Sequence, residues 1–121
     1  MMVYKKAFQM ALLVFRLSKR FPPEEKYSLT DQIRRSSRSV TAQFAEAYAK
    51  KRYPLHFVSK LTDADGENSE TQVWLDHAIS SNYVSDQDVQ EIMELSKEVG
   101  RMLGDMILHS EKYGAIDRRK A

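Results

Sequence analysis

Basic side chains with tyrosines between them are the residues of this chain whose types and spacing best suit a chemical role. The set comprises Arg34, Arg35, Arg38, Tyr48, Lys50, Lys51, Arg52 and Tyr53. Lysine and arginine bind phosphate groups, and aromatic rings stack on nucleic-acid bases. The pattern therefore predicts binding of RNA or DNA. The predicted contact residues are Arg38, Lys50, Lys51 and Arg52.

The acidic residues of the chain give these cations an alternative role. Residues 34–60 contain seven basic side chains and one acidic, whereas residues 61–111 contain two basic and twelve acidic. Blocks of opposite charge in one small protein indicate basic and acidic helices that face each other, within a subunit or between copies. In this alternative the protein is an interaction scaffold whose charges serve subunit contacts, without nucleic-acid binding. The sequence leaves both functions open.

Acidic residues and a histidine on one predicted helix raise the question of a metal centre. Asp63, Glu67, Glu70 and His77 lie near one face, but the Glu-x-x-His pattern of di-metal four-helix bundles is missing. The chain also has no cysteine, no Gly-x-Ser-x-Gly motif and no glycine-rich phosphate loop. We therefore expect no metal, no cofactor and no catalytic residue. The protein is predicted not to be an enzyme.

Length and composition set the class of protein that carries these residues. The 121 residues, 42% of them hydrophobic and 30% charged, predict a single domain over 1–121. The longest apolar run, residues 7–15, is far shorter than the roughly 20 residues of a membrane-spanning helix. The absence of cysteine fits a reducing compartment. We expect a cytoplasmic protein without a membrane partner.

Hydrophobic periodicity predicts four amphipathic helices and therefore an all-α fold. Their predicted ranges are 3–20, 28–49, 54–81 and 85–109. Ser28 or Thr30 is expected to cap the second helix, and Ser85 the fourth. The ordered core is predicted over about 3–109. The basic tail, residues 112–121, is expected to be loosely ordered.

The first two helices differ in the amount of apolar surface they carry. One face of the second helix is expected to be core and comprises Ile33, Ser37, Val40, Phe44 and Tyr48. The first helix instead has two adjacent apolar rows, which are Tyr4, Phe8, Ala11 and Phe15, and Val3, Ala7, Met10, Val14 and Leu17. A bundle helix needs only one such row. The surplus row predicts a subunit interface or, alternatively, a deeply buried helix.

The third helix carries the longest regular seam of the chain. The seam runs in steps of four and three through Phe57, Leu61, Ala64, Asn68, Thr71, Leu75 and Ala78. Because it continues in phase through Gly66, we expect one unbroken helix there. Asn68 and Thr71 place polar groups in its middle. They are predicted to set the pairing register of the helices or to line a small polar interior.

Two motifs in the chain resemble a known bacterial family. The first is FPxxExYxLxxQIRR over residues 21–35, and the second is GENSETQVWLDHA over residues 66–78, with a small-residue stretch ending in Ala45-Glu46 between them. They resemble the four-helix-bundle proteins encoded in intervening sequences of 23S ribosomal RNA genes, which are similar to the accessory variability protein of diversity-generating retroelements. The matching positions are Phe21, Pro22, Glu25, Tyr27, Leu29, Gln32, Ile33, Arg34, Arg35, Ala45, Glu46, Gly66, Glu70, Thr71, Gln72 and Leu75.

The resemblance implies an antiparallel up-and-down four-helix bundle that assembles into a homopentamer and has no catalytic residues. It assigns Arg34, Arg35, Glu46 and Glu70 to oligomer contacts or structural salt bridges. The retroelement relative binds nucleic acid and a reverse transcriptase. The resemblance therefore favours RNA or DNA binding and allows a nucleic-acid-processing protein as a partner. We carry over the architecture of the family and not the retroelement role.

Overall fold

Four helices make up most of the chain. The structure, a computed structural model, describes residues 1–114. Helix α1 comprises Met2–Ser18, α2 Leu29–Ala49, α3 Pro54–Ser80 and α4 Asp86–Leu108. Two short 3-10 helices, Pro23–Glu25 and Ser110–Tyr113, follow α1 and α4. Residues 1–114 contain no strand, and the all-α prediction is confirmed.

Consecutive helices run antiparallel and pack side by side. Helix α1 contacts α2, α2 contacts α3, α3 contacts α4, and α4 returns to contact α1. The contact between α2 and α3 is the most extensive. This arrangement is the expected up-and-down four-helix bundle. It places the side formed by α1 and α2 opposite the side formed by α3 and α4.

The core is built from apolar side chains of all four helices. On α1, one of the two predicted apolar rows is buried, and it comprises Val3, Ala7, Met10, Val14 and Leu17. In the surplus row Ala11 is buried, Phe15 is half-buried, and Tyr4 and Phe8 are exposed. Helix α1 is therefore not a deeply buried helix. Two of the four residues of its surplus row, Tyr4 and Phe8, remain on the surface of the chain.

Helix α2 departs from the prediction near its C-terminal end. Ile33, Val40 and Phe44 are buried as expected, but Tyr48 is 43% exposed and Ala47 takes its place in the core. The cause is geometric, because each step of four residues overshoots a full helical turn by about 40°. Two such steps after Val40 carry Tyr48 out of the buried stripe. Its ring packs on the surface against Phe44, with centroids 6.5 Å apart.

Glu25 caps the start of α2, and the prediction that Ser28 or Thr30 would do so is wrong. The Glu25 carboxylate accepts a hydrogen bond from the backbone N–H of Leu29 at 3.3 Å. The Ser28 hydroxyl donates to Glu25 and caps no helix amide. The Tyr83 hydroxyl donates to the same carboxylate at 2.7 Å, and this bond raises the pKa of Tyr83 to about 12.

The pH dependence of stability tests this capping carboxylate. Hydrogen bonds from Ser28, Tyr83 and the Leu29 amide hold the pKa of Glu25 below its usual value. Such a carboxyl group contributes stability above its unfolded pKa of about 4.3 and loses that contribution as the pH falls through the lower folded pKa. We expect wild-type protein to lose more unfolding free energy than Glu25→Gln between about pH 5 and 3. Urea unfolding across this range measures both, and parallel curves would contradict the role of Glu25.

The third and fourth helices form as predicted. Helix α3 is unbroken at Gly66, where an added Cβ atom would meet nothing within 4 Å. Helix α4 begins with the expected cap. The Ser85 hydroxyl accepts from the backbone N–H of Asp88 at 3.1 Å, and the Asp88 carboxylate accepts from the backbone N–H of Ser85 at 2.9 Å. This reciprocal pair satisfies amides that the helix itself leaves free.

A layer of polar side chains crosses the middle of the core. Asn68 donates to the backbone oxygen of Ser96 at 2.9 Å and accepts from its hydroxyl at 2.8 Å. The hydroxyl groups of Thr71 and Ser36 lie 2.9 Å apart. Gly100 lies beside this layer, where an added Cβ atom would make van der Waals contact with Nδ2 of Asn68 at 3.4 Å. The layer links α3 to both α2 and α4 at one level of the bundle.

The end of the chain continues past α4. Lys112 and Tyr113 belong to the second 3-10 helix, and the Tyr113 hydroxyl donates to the Asp105 carboxylate at 2.6 Å. Helical structure therefore continues to Tyr113. The remainder of the tail expected to be loosely ordered, residues 115–121, lies outside the described residues.

Candidate nucleic-acid interface

The cations of the bundle fall into two classes by their partners. The first class forms ion pairs between different parts of the bundle. These pairs are Lys6 with Glu98, Arg20 with Asp88, Arg35 with Glu67 and Glu70, and Lys60 with Glu46. The second class has no carboxylate within ion-pair distance among residues 1–114. Its members on α2 and in the segments that follow α1 and α2 are Lys19, Arg34, Arg38, Lys50, Lys51 and Arg52, together with Lys26, and Lys97 and Arg101 on α4 also belong to it. Members of the second class are available to an anionic ligand.

Arg35 belongs to the paired class and joins α2 to α3. Its Nη1 atom lies 3.1 Å from Glu67, and its Nη2 atom donates to Glu70. Glu70 also accepts from the indole N–H of Trp74 at 3.2 Å. Burial favours a lower pKa for Arg35, but the Glu70 hydrogen bond and the charges of Glu67 and Glu70 outweigh it and raise the pKa. The positive charge of Arg35 is thus paired with carboxylates of the same chain.

Glu46 and Arg34, which the resemblance also assigned to salt bridges, have different surroundings. Glu46 lies 2.9 Å from Nζ of Lys60, and the hydrogen bond from Lys60 lowers the pKa of the Glu46 carboxyl. Arg34 has no carboxylate partner in the described part of the chain. Its Nε atom donates to the Ser18 hydroxyl at 2.7 Å. Arg34 therefore keeps an uncompensated positive charge on the side formed by α1 and α2.

Three of the unpaired cations surround one aromatic ring, and we name this group the Phe15 cluster. From the ring centroid of Phe15, Nζ of Lys19 is 4.7 Å away, Cζ of Arg34 is 4.8 Å away and Cζ of Arg38 is 5.3 Å away. A ring quadrupole attracts a cation at these distances but carries no net charge. The Phe15 cluster consequently presents three positive charges close together on the seam between α1 and α2.

The loop after α2 holds a second group of cations, the α2-terminal cluster of Lys50, Lys51 and Arg52. Nζ of Lys51 lies 4.5 Å from the ring centroid of Tyr48. The partial negative charge at the C-terminal end of α2 favours cations at this position. Arg52 is exposed. Tyr48, which the sequence assigned to the core, thus stands on the surface beside a cation.

The structure separates the four contact residues predicted from the sequence. Arg38 belongs to the Phe15 cluster, whereas Lys50, Lys51 and Arg52 lie at the end of α2. The twelve residues from Arg38 to Lys50 correspond to about 18 Å of helix. The predicted residues therefore mark two places along one side of the bundle. Lys19 and Arg34 also belong to the Phe15 cluster. Sequence patterns assign Lys19 no role, and the family resemblance assigns Arg34 to oligomer contacts or salt bridges.

The opposite side of the bundle is acidic. A groove of about 490 Å³ between α3 and α4 is lined by three carboxylates, Asp76, Asp86 and Glu94, and by one cation, Lys97. Its apolar side chains Ile79 and Met93 pack against the core. The charge blocks seen in the sequence thus become two opposite sides of the bundle, one that holds most of the basic block and one in which carboxylates outnumber cations.

Residues 1–114 contain neither a membrane-spanning helix nor a cluster of metal-binding side chains. None of the helices there combines the length and apolar character that crossing a bilayer requires. Within the same range, His, Asp and Glu side chains do not gather in a group of three that could hold a metal ion.

Comparison with known proteins bears on this arrangement of helices. A sequence model of the 23S rRNA-intervening sequence protein family matches residues 1–105. The chain belongs to this family. The match covers all four helices except the last residues of α4, so the resemblance carried by the two sequence motifs is confirmed.

A solved structure supports the same assignment to the 23S rRNA-intervening sequence proteins. It is the crystal structure of a protein of unknown function from the S23 ribosomal protein family of Bacteroides thetaiotaomicron. The two chains are 29% identical, with a TM-score of 0.78, and the match covers 87% of this chain and 97% of the other. No curated protein sequence matches this chain.

The Phe15 cluster is the feature of this intervening-sequence protein that the sequence analysis missed. The spacing of Phe15 and Lys19, one helical turn apart, is a local signal that places them on one face. Arg34 and Arg38 are one turn apart on α2 in the same way. The pairing of these two turns depends on how α1 is aligned against α2, and the sequence pattern does not supply that alignment.

Proposed function

We propose that this protein is a non-enzymatic, cytoplasmic, nucleic-acid-binding protein. Its contact surface is the side formed by α1 and α2, with the Phe15 cluster at one place and the α2-terminal cluster at the other. One observation carries the proposal. Six cations with no carboxylate at ion-pair distance in residues 1–114 share this side with exposed aromatic rings, whereas residues 61–111, which include α4 and most of α3, contain twelve acidic and only two basic side chains.

The chemistry of nucleic acids fits this surface. Phosphates attract unpaired lysine and arginine and release counterions on binding, which supplies most of the affinity. Paired cations contribute little, because their charge is already compensated. The proposal therefore omits Arg35 and retains Arg38, Lys50, Lys51 and Arg52, with Lys19 and Arg34 added.

Salt dependence tests the proposal. Six phosphate contacts from the two clusters give an expected slope of about −5 for log K against log salt concentration. Affinity for a labelled RNA hairpin should then fall by about 10³-fold between about 50 and 200 mM salt. Fluorescence anisotropy with the full chain measures both quantities. A slope near zero would overturn the proposal.

A protein-interaction scaffold is the second candidate function. The exposed part of the surplus row on α1 and the acidic groove between α3 and α4 favour it, since the two surfaces lie on opposite sides and a head-to-tail contact between copies could join them.

Repeated contacts of this kind close into a ring, in line with the homopentamer that the family resemblance implies. A pentamer of 14.1 kDa chains has a mass of about 70 kDa, which light scattering measures directly. A ring would also repeat the cationic surface and increase avidity for a long polyanion.

A further inference from the structure

Aromatic and apolar side chains form an exposed row along the seam between α1 and α2. Phe8 is 56% exposed and Leu12 is 41% exposed. They border a groove of about 420 Å³, the α1–α2 groove, which is lined by Phe8, Ala11, Leu12, Phe15, Arg38 and Thr41. A contiguous row of exposed apolar side chains is typical of a surface that binds a ligand or a partner.

Cations stand at both ends of this row. The Phe15 cluster lies at one end. At the other end Tyr4 packs on Phe44 and Phe44 on Tyr48, with centroids 6.4 and 6.5 Å apart, and Lys51 covers the Tyr48 ring. From Tyr4 to Phe15, α1 rises about 16 Å. The row is therefore long enough for several stacked groups and carries positive charge at each end.

The occupant must combine apolar faces with negative charge. Single-stranded nucleic acid has both, because its bases are free to stack on aromatic rings while its phosphates meet cations. A duplex keeps its base faces stacked inside and offers mainly phosphates. A second copy of the chain offers carboxylates in the α3–α4 groove, but Ile79 and Met93 there already pack against the core. That groove would leave much of the aromatic row uncovered.

We propose that the α1–α2 groove binds an unpaired, single-stranded segment of RNA or DNA. Bases stack on the exposed ring of Phe8, and the cations of the Phe15 cluster contact the adjoining phosphates. This inference rests on the proposed nucleic-acid binding and specifies its substrate class. The α2-terminal cluster then extends the phosphate path beyond the groove.

Binding of matched single-stranded and duplex ligands tests the inference. The probes are a labelled single-stranded RNA of about 12 nucleotides, its DNA equivalent, and the RNA annealed to its complement. We expect the full chain to bind the single strands more tightly than the duplex. Phe8→Ala should weaken single-strand binding by about 10-fold and leave duplex binding nearly unchanged. Phe8→Trp should restore single-strand binding, because an indole ring also stacks on bases.

A matched control removes exposed apolar surface elsewhere. Val73 is 48% exposed on α3, away from the groove, and Val73→Ala should bind all three probes like wild type. Because Phe8 is itself exposed, Phe8→Ala should keep the helical circular dichroism of wild type.

Three outcomes would overturn the inference in distinguishable ways. Equal binding of single strand and duplex, with no effect of Phe8→Ala, would leave the proposed function standing and remove the groove as its site. Failure of wild type to bind any probe at low salt would remove both proposals. A loss of oligomer mass in Phe8→Ala, with unchanged binding per chain, would assign the groove to a second copy.

Discussion

The triple variant Lys50→Gln, Lys51→Gln, Arg52→Gln is expected to bind RNA about 100-fold more weakly than wild type at physiological salt. Each phosphate contact contributes about 0.9 to the salt slope, which corresponds to about 5-fold in affinity near 0.15 M salt. Loss of three contacts should also reduce the magnitude of the slope by about 3. Fluorescence anisotropy with a labelled hairpin over a series of salt concentrations measures both effects.

A control with the same change in net charge separates the cluster from the overall charge. Lys26, Lys97 and Arg101 are exposed and lie outside the α2-terminal cluster. Their triple replacement by glutamine should cost little affinity, since these residues do not lie on the proposed contact surface. Equal losses in the two triple variants would contradict a specific role for the cluster. Circular dichroism should be recorded for both, because cations at the C-terminal end of α2 also stabilise that helix.

Among the proposed substitutions, Asn68→Ala is expected to destabilise the protein most, lowering the free energy of unfolding by about 3 kcal/mol. The change removes the two hydrogen bonds between Asn68 and Ser96 and leaves buried polar groups of Ser96 without one of their partners. It also opens a cavity next to Gly100. Urea unfolding followed by circular dichroism, at a fixed chain concentration, measures the loss.

Gln72→Ala provides the matched control for Asn68. Gln72 donates to the same Ser96 hydroxyl at 2.8 Å, but its side chain is only half-buried, so water can replace it. We expect a loss of about 1 kcal/mol. Similar losses for Gln72→Ala and Asn68→Ala would show that the polar layer is hydrated, and would contradict the role assigned to Asn68.

The helices could be predicted from the sequence because the patterns that specify them involve residues only a few positions apart. The seam of α3 repeats every three or four residues through Gly66, and that period alone predicts one continuous helix. The Ser85 cap is equally local, since Ser85 and Asp88 are three residues apart. The buried positions of Asn68 and Thr71 were also predictable, because both fall on the seam.

Features that depend on how the helices meet were not predictable in the same way. Glu25 caps α2 only because the turn after α1 brings its carboxylate back to Leu29, and Tyr83 reaches it from the loop before α4. Tyr48 lies outside the core because residues four positions apart are rotated by about 40° around the helix at each step. In both cases a pattern within one helix gave too little information about the packing.

The candidate site shows the same limit. The sequence identified Arg38, Lys50, Lys51 and Arg52 as cations, but it could not separate a free cation from a paired one. Arg35 and Arg34 are neighbours in the chain, yet Arg35 meets two carboxylates on α3 while Arg34 lies over Phe15 of α1. The difference arises because successive residues point toward different neighbouring helices in the bundle.

The separation of charge between opposite sides of the bundle has a consequence for the kinetics of encounter. With unpaired cations along α1 and α2 and carboxylates in the groove between α3 and α4, the chain has an electric dipole across its width. A polyanion approaching within a Debye length exerts a torque on this dipole and turns the cationic side toward itself. Collisions are thereby biased toward one orientation before any side chain makes contact, and added salt removes that bias.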